Sequence, residues 1–398
     1  MVPVYYWLPA LGCLGMGFMF LNVSAVAEQF RSLFSLNYAG LGVFLSAPFW
    51  AHTLVQVPAG LVVDRLGTLR TLALSALLCA AGGFVPLLLP HNMVLAVCMR
   101  MLIGLATGLL FLSMVSAVKT LCPPAFMSRA QGLQGAAFSL GTMVPFIVLP
   151  YFGESGWAAA YILGGLMSVA LLASLLCPPL APLRRETRTE PASAGNVLRV
   201  LGQVARNRRL WFIGCCHGFS FGTITALGNW LSVMLADSAS SGAVAGSSNA
   251  EAWALPTSLV LLAGTMARIA GGELGRALPK QKLLVALVLG IGLFYLLLAL
   301  AGSTWMLLAC AFALAVCCGG TYASVFTLTI EAAGASHTAT GIGFMSMLAN
   351  CVNVGLILLL GVVREYLGGF APALALSSVC VLLLLLWGRS INWKCREE

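Results

Sequence analysis

The sequence predicts an all-α membrane protein of twelve transmembrane helices arranged as two six-helix bundles. Three observations carry that expectation: an apolar, charge-poor composition, twelve apolar runs of membrane-spanning length, and one long polar stretch that divides them six from six. Of 398 residues, 60% are hydrophobic and 8% are charged, with mean hydropathy +0.98. A soluble domain carries about 25% charged residues, so this composition belongs to a membrane protein. Short alternating segments of the kind that build a membrane β-barrel are absent.

A spanning helix needs about 20 mostly apolar residues. Runs of that kind fall near 4–27, 38–62, 70–89, 93–117, 130–152, 157–177, 209–234, 253–275, 282–301, 304–330, 338–363 and 370–388. The first run lacks a basic leader and a small-residue cleavage site, and is expected to be a retained helix instead of a signal peptide. Residues 178–208 form the longest polar stretch, with Arg184, Arg185 and Arg188 followed by a basic amphipathic run to Arg209. The expected organisation is therefore an N-terminal bundle over 1–177, a linker over 178–208 lying along anionic headgroups, and a C-terminal bundle with its tail over 209–398. A second insertion, 237–251, is rich in small residues and is expected to be a flexible outer loop.

Basic residues set the expected orientation. With the N-terminus inside, seventeen of the 21 Lys and Arg fall on the cytoplasmic side, and only Arg31 and Arg364 fall outside. The positive-inside rule then puts both termini in the cytoplasm, in the inner membrane of a bacterium. The net charge of +9 is accordingly a mark of topology and does not point to nucleic acid. Thirteen cysteines are scattered through apolar runs without metal-ligand spacing, so no metal or cofactor is expected. Adjacent pairs such as Cys215 and Cys216 point in different directions on a helix and are not read as bridges. No His-Glu-x-x-His or Gly-x-Ser-x-Gly string is present, and an enzyme is not expected.

The end of the second run reads Gly60-Leu-Val-Val-Asp64-Arg65-Leu-Gly67-Thr-Leu-Arg70. Glycines allow a close approach and a sharp turn, Asp64 can brace a helix end, and Arg65 and Arg70 hold that end at the water boundary. A partial echo follows the eighth run, where Gly271, Gly272 and Arg276 stand in the corresponding place, with a register ambiguous by one residue and without the Asp. Such parallel similarity is what two related six-helix halves leave behind.

This Gly-x-x-x-Asp-Arg-x-Gly-x-x-Arg string resembles the loop between helices two and three of the major facilitator superfamily. The resemblance covers essentially the whole chain and implies a monomeric secondary transporter that moves a small solute by alternating access. Gly60, Asp64, Arg65, Gly67, Arg70, Gly272 and Arg276 are then expected to act in gating. Arg100 and Gly104, followed by Gly108, resemble the Arg-x-x-x-Gly pattern of the family's fourth helix, and a structural or coupling role is expected for them. Gly132 to Pro145 is similar in glycine spacing to the fifth helix of nitrate/nitrite porters, with Ser139 where those carry Asn. The Gly-Pro pair of drug/proton antiporters is missing there.

Arg268 lies well inside the eighth run, where an arginine costs at least roughly 2.5–3.5 kcal/mol on insertion scales. Ala267 to Gly272 is similar to the helix-eight string of nitrate-type porters, and oxalate- and monocarboxylate-type carriers also set an arginine there against an anion. A guanidinium suits a carboxylate or oxyanion through two parallel hydrogen bonds. The second arginine of the nitrate-type clamp corresponds to Gln56 here, so a less tightly held monoanion or small carboxylate is expected. A gate-bracing role for Arg268 remains open beside the anion contact. His52 and Gln56 share one helix face, and Asn229, Tyr322 and Asn350 bring polarity to spans seven, ten and eleven, so these join Arg268 as candidate substrate contacts. For protons as a coupling ion, His52, His217 or the substrate itself are the candidate carriers. The function expected is transport of a small organic or inorganic anion. Proton-driven export of hydrophobic compounds and a non-transporting receptor on the same fold stand as alternatives.

Overall fold

The computed structural model describes residues 7–121, 127–176, 183, 199, 202–240, 250–334 and 338–391, and these are almost wholly helical. The order is α1 (Trp7–Leu21), α2 (Ala27–Leu33), α3 (Tyr38–Leu66), α4 (Thr68–Phe84), α5 (Met93–Leu121), α6 (Met127–Val148) and α7 (Gly156–Ser174). From Arg208 onward come α8 (Arg208–Ser240), α9 (Ala254–Ala277), α10 (Lys280–Ala299), α11 (Thr304–Gly320), α12 (Tyr322–Ala333), α13 (Thr338–Leu367) and α14 (Ala371–Gly388). Among the described residues, ten stretches are long and apolar enough to cross a membrane. One of them, Leu133–Ser174, holds both α6 and α7, and α3 with 29 residues is a further helix of spanning length, which makes twelve. Two spans are built from two helices each: α1 with α2, broken at Asn22 and Val23, and α11 with α12, divided at Thr321.

The chain forms two compact units, Met1–Ala192 with Asn249–Leu262, and Ser193–Ser248 with Ala263–Glu398. In the first unit α1 packs on α6, α3 on α5 and α4 on α7. In the second, α8 packs on α13 and α10 on α14, while α9 meets α11 through glycine. Span one therefore pairs with span five, two with four and three with six in each unit, so the internal repeat is one of packing as well as of sequence. Lipid tails are as apolar as the helices, so close packing of small residues must hold the pairs together. At Gly104 a Cβ would overlap the carbonyl of Pro48, and at Gly271 it would overlap the carbonyl of Gly320.

The loop expected between helices two and three is a single residue. Gly67, with φ 82° and ψ 159°, ends α3 and begins α4. A positive φ of this kind costs a glycine little and a residue with a Cβ considerably more. The Thr71 hydroxyl donates to the Gly67 carbonyl at 2.9 Å, and the Thr68 hydroxyl lies 2.8 Å from that of Ser116 on α5, fastening the turn.

One expected boundary moves. The insertion 237–251 is not a loop throughout: α8 continues to Ser240, and Glu251 sits in a 3₁₀ turn over Ala250–Trp253. The extension is held by Asp237, whose carboxylate accepts from Arg364 Nε at 2.7 Å, and by Ser238, 3.1 Å from the Thr304 hydroxyl. Residues 241–249 lie outside the described residues, as does most of the linker expected over 178–208.

Candidate functional site

Arg268 is the fifteenth residue of the 24-residue α9, a position set by helix length and not by a turn. The large apolar residues that α9 exposes, Leu255, Leu259, Met266, Ile269 and Leu274, are between 45% and 63% accessible. At about 100° per residue, Arg268 stands about 100–180° around the helix from each of them. The half-buried side chain therefore leaves the helix away from the apolar face, as expected for a charge that meets a partner within the protein.

The guanidinium carbon lies 4.9 Å from the centroid of the Tyr322 ring, a cation–π arrangement. Tyr322 is the first residue of α12, beside the division of that span at Thr321. Thr321 keeps helical angles, φ −70° and ψ −22°, and its amide turns to the Cys318 carbonyl at 3.3 Å, so the span is tightened there by a 3₁₀-type bond. Tyr322 in turn packs on Phe326 at 4.7 Å between centroids, and the His217 ring lies 5.6 Å from Phe326, 6.4 Å from Tyr322 and 5.8 Å from Phe221. His217 is 8% exposed, and its Nδ1 is buried without a hydrogen-bond partner. The fold thus sets Tyr322 against the guanidinium and joins that ring to Phe326, His217 and Phe221 in one cluster from α8 and α12.

A second polar cluster lies in the first unit. Gln56 Nε2 is 2.7 Å from His52 Nε2, and His52 Nδ1 is 3.2 Å from Thr107 Oγ1. Thr107 donates onward to the Gly104 carbonyl at 2.9 Å. An amide nitrogen only donates, so Nε2 of His52 accepts and Nδ1 carries the hydrogen. Donation therefore runs one way, from Gln56 through the neutral His52 and Thr107 to the backbone. The tautomer is assigned from this network.

Arg100 is fully buried and faces the break between α1 and α2. Its Nη1 donates to the Met19 carbonyl at 2.8 Å and to Asn22 Oδ1 at 3.2 Å, and its Nη2 to the Phe20 carbonyl at 3.3 Å. These are last-turn carbonyls of α1, which a helix end leaves without amide partners. The Val23 amide, in line for the Met19 carbonyl, bonds Asn22 Oδ1 instead at 2.9 Å.

The other expected residues are distributed as follows. Asn229 donates to the Thr225 carbonyl and Asn350 to the Ser346 carbonyl, each one turn back in its own helix. Arg65 and Arg70 are exposed at the ends of α3 and α4. Gly60 and Asp64 fall in α3 and Arg276 in α9, but their side-chain positions lie outside the described residues. Gly272 meets nothing within 4 Å, whereas its neighbour Gly271 is the close-packed one. Sequence reasoning did not single out Phe221, Phe326 or Thr107. The first two stand four residues after His217 and Tyr322, the spacing that stacks side chains on one helix face. Thr107 carries no comparable signal.

Residues 8–356 match the Major Facilitator Superfamily. The chain is 33% identical over 114 residues to "Probable anion transporter 6" of Oryza sativa subsp. japonica, covering 29% of this chain and 27% of that protein. It is 26% identical over 301 residues to the "Probable sulfoacetate transporter SauU" of Cupriavidus necator, covering 71% of this chain and 66% of the relative. The matched part of the chain thus spans less than two thirds of the length of these relatives. Among solved structures, the xylose transporter XylE from E. coli, in an inward open conformation, superposes with a TM-score of 0.77 at 13% identity, covering 99% of this chain and 97% of that one. That likeness is one of fold.

Proposed function

The chain belongs to the Major Facilitator Superfamily, a family of transporters, and on that premise we propose that it is a secondary active transporter of a small organic or inorganic anion. The observation that carries this reading is Arg268, a half-buried arginine in the middle of a spanning helix, turned from the apolar face and with its guanidinium stacked on Tyr322. A charge at that depth is expensive to keep unless it meets a partner, and a planar guanidinium offers a carboxylate or oxyanion two parallel hydrogen bonds. Two relatives with anion and sulfoacetate in their names support the same class.

The protein works by alternating access, with the turn at Gly67 and its flanking arginines holding and releasing one state. Substrate drives the exchange only if it binds the states with different affinities. The distribution of Lys and Arg supports insertion in the cytoplasmic membrane with both termini inside.

The test is flux into proteoliposomes from a panel of labelled anions, with wild type beside Arg268→Gln and Arg268→Lys, with and without an imposed pH gradient. Uptake of one anion class, lost in the Gln variant and poorly restored by Lys, is expected. Absence of flux for every anion, with all three proteins folded, would refute the reading and favour export of neutral or cationic compounds.

A further inference from the structure

Resting on the anion reading of Arg268, we infer that His217, Phe221, Tyr322 and Phe326 form a specificity pocket for the carbon body of the substrate, so that organic acids with an apolar body are selected over compact inorganic oxyanions. The argument begins with what surrounds the cation. One face of the Arg268 guanidinium is covered by the Tyr322 ring at 4.9 Å, and a guanidinium binds carboxylates and oxyanions through its in-plane N–H groups. Beyond Tyr322 the next groups are rings: Phe326 at 4.7 Å from Tyr322, and His217 at 5.6 Å from Phe326.

A site for nitrate or sulfate would need hydrogen-bond donors on several sides, because each oxygen stripped of water must be met again. The faces of aromatic rings offer almost none. They offer instead a large apolar surface, with a favourable contact to the carbon skeleton of a ligand. Phe221, Tyr322 and Phe326 are each half-buried, so their faces are not used up by packing within the protein.

Two of these rings carry polar atoms, the Tyr322 hydroxyl and the His217 imidazole, and the Nδ1 of His217 is buried with no partner. A buried polar nitrogen without a hydrogen bond is costly, and in native proteins it is usually met by water or by a ligand. A hydroxyl, ether or second oxygen on the substrate body, set apart from its acid group, supplies that partner. The class is thus a small organic monoanion, carboxylate or sulfonate, with an apolar body that carries at most one or two polar atoms.

The experiment measures inhibition and counterflow in proteoliposomes with benzoate, butyrate, nitrate and sulfate as probes. Wild type is set beside Phe326→Ala, Phe326→Leu and Arg268→Gln, each checked for thermal stability. Benzoate and butyrate are expected to act at least about tenfold more strongly than nitrate and sulfate, and Phe326→Ala to erase most of that ratio. Phe326→Leu keeps an apolar contact and retains part of it, while Arg268→Gln removes all four. Nitrate or sulfate acting as well as benzoate, or a ratio unmoved in a stable Phe326→Ala protein, overturns the pocket and leaves the anion reading standing. No response of wild type to any probe, together with no effect of Arg268→Gln, overturns both.

Discussion

Arg100 and Asn22 are joined at the break in the first span, with Nη1 of the arginine 3.2 Å from Oδ1 of the asparagine and the same nitrogen 2.8 Å from the Met19 carbonyl. Asn22 carries the link further, since its Nδ2 donates to the Ala160 carbonyl on α7 at 2.9 Å. One guanidinium from α5 thereby completes the end of α1, and one amide ties that end to α7. The charge that marks the fourth helix in sequence thus serves backbone carbonyls in this fold.

Removing that charge is expected to loosen the first span. Arg100→Leu leaves the Met19 and Phe20 carbonyls unmet in an apolar interior, at about 1–3 kcal/mol for each. Arg100→Lys keeps the charge but replaces a fork with a single point, and it should recover only part of the loss. Thermal melting of the purified proteins in detergent checks this order. Equal stability of Arg100→Leu and wild type would contradict it.

The two adjacent glycines of α9 should respond in opposite ways. A Cβ at Gly271 overlaps the Gly320 carbonyl, a backbone atom that cannot rotate aside, whereas a Cβ at Gly272 enters open space. Gly271→Ala is expected to destabilise by about 1–3 kcal/mol, typical of overpacking, or to push α9 away from α11 with loss of transport. Gly272→Ala should melt as wild type does. Parallel melts and flux assays of the two variants decide between the registers that the sequence leaves ambiguous.

Gln29 gathers three chain segments at once. Its Nε2 lies 2.7 Å from the Gly153 carbonyl and 2.6 Å from Glu251 Oε1, and its Oε1 accepts from the Trp157 amide at 2.8 Å. Glu251 precedes α9, so the end of the first span, the turn before α7 and the start of α9 share one amide. Gln29→Leu is expected to raise hydrogen–deuterium exchange at the Trp157 amide several-fold, as one hydrogen bond of about 1 kcal/mol is lost. Gln29→Glu retains an acceptor for Trp157 but faces Glu251 with like charge, so exchange should rise near Glu251 and much less at Trp157. Unchanged exchange in both variants would contradict the role of Gln29 as the tie between these segments.

The number of spans, the helical class and the transporter family could be read from the chain. Runs such as Leu284 to Ala299 declare themselves because insertion into a bilayer depends on the summed transfer free energy of neighbouring residues. The loop from Gly60 to Arg70 is legible for a related reason: a one-residue turn at φ 82° demands a glycine wherever it occurs. These are properties of short segments and survive without knowledge of their neighbours.

Partnerships across the bundle are of another kind. Arg100 meets Met19 and Phe20 from some eighty residues away, and Arg268 meets Tyr322 from a different span. Nothing in local hydropathy separates Phe326, which joins the ring cluster, from Phe219, which stands in an equally apolar stretch. Nor does it separate Gly271 from Gly272. Which face of a helix turns inward follows from where backbones can approach at small residues, and that contact exists only once distant helices have packed. Membrane insertion is decided residue by residue along the chain, while the chemistry of the site waits on the packing of helices that are remote in sequence.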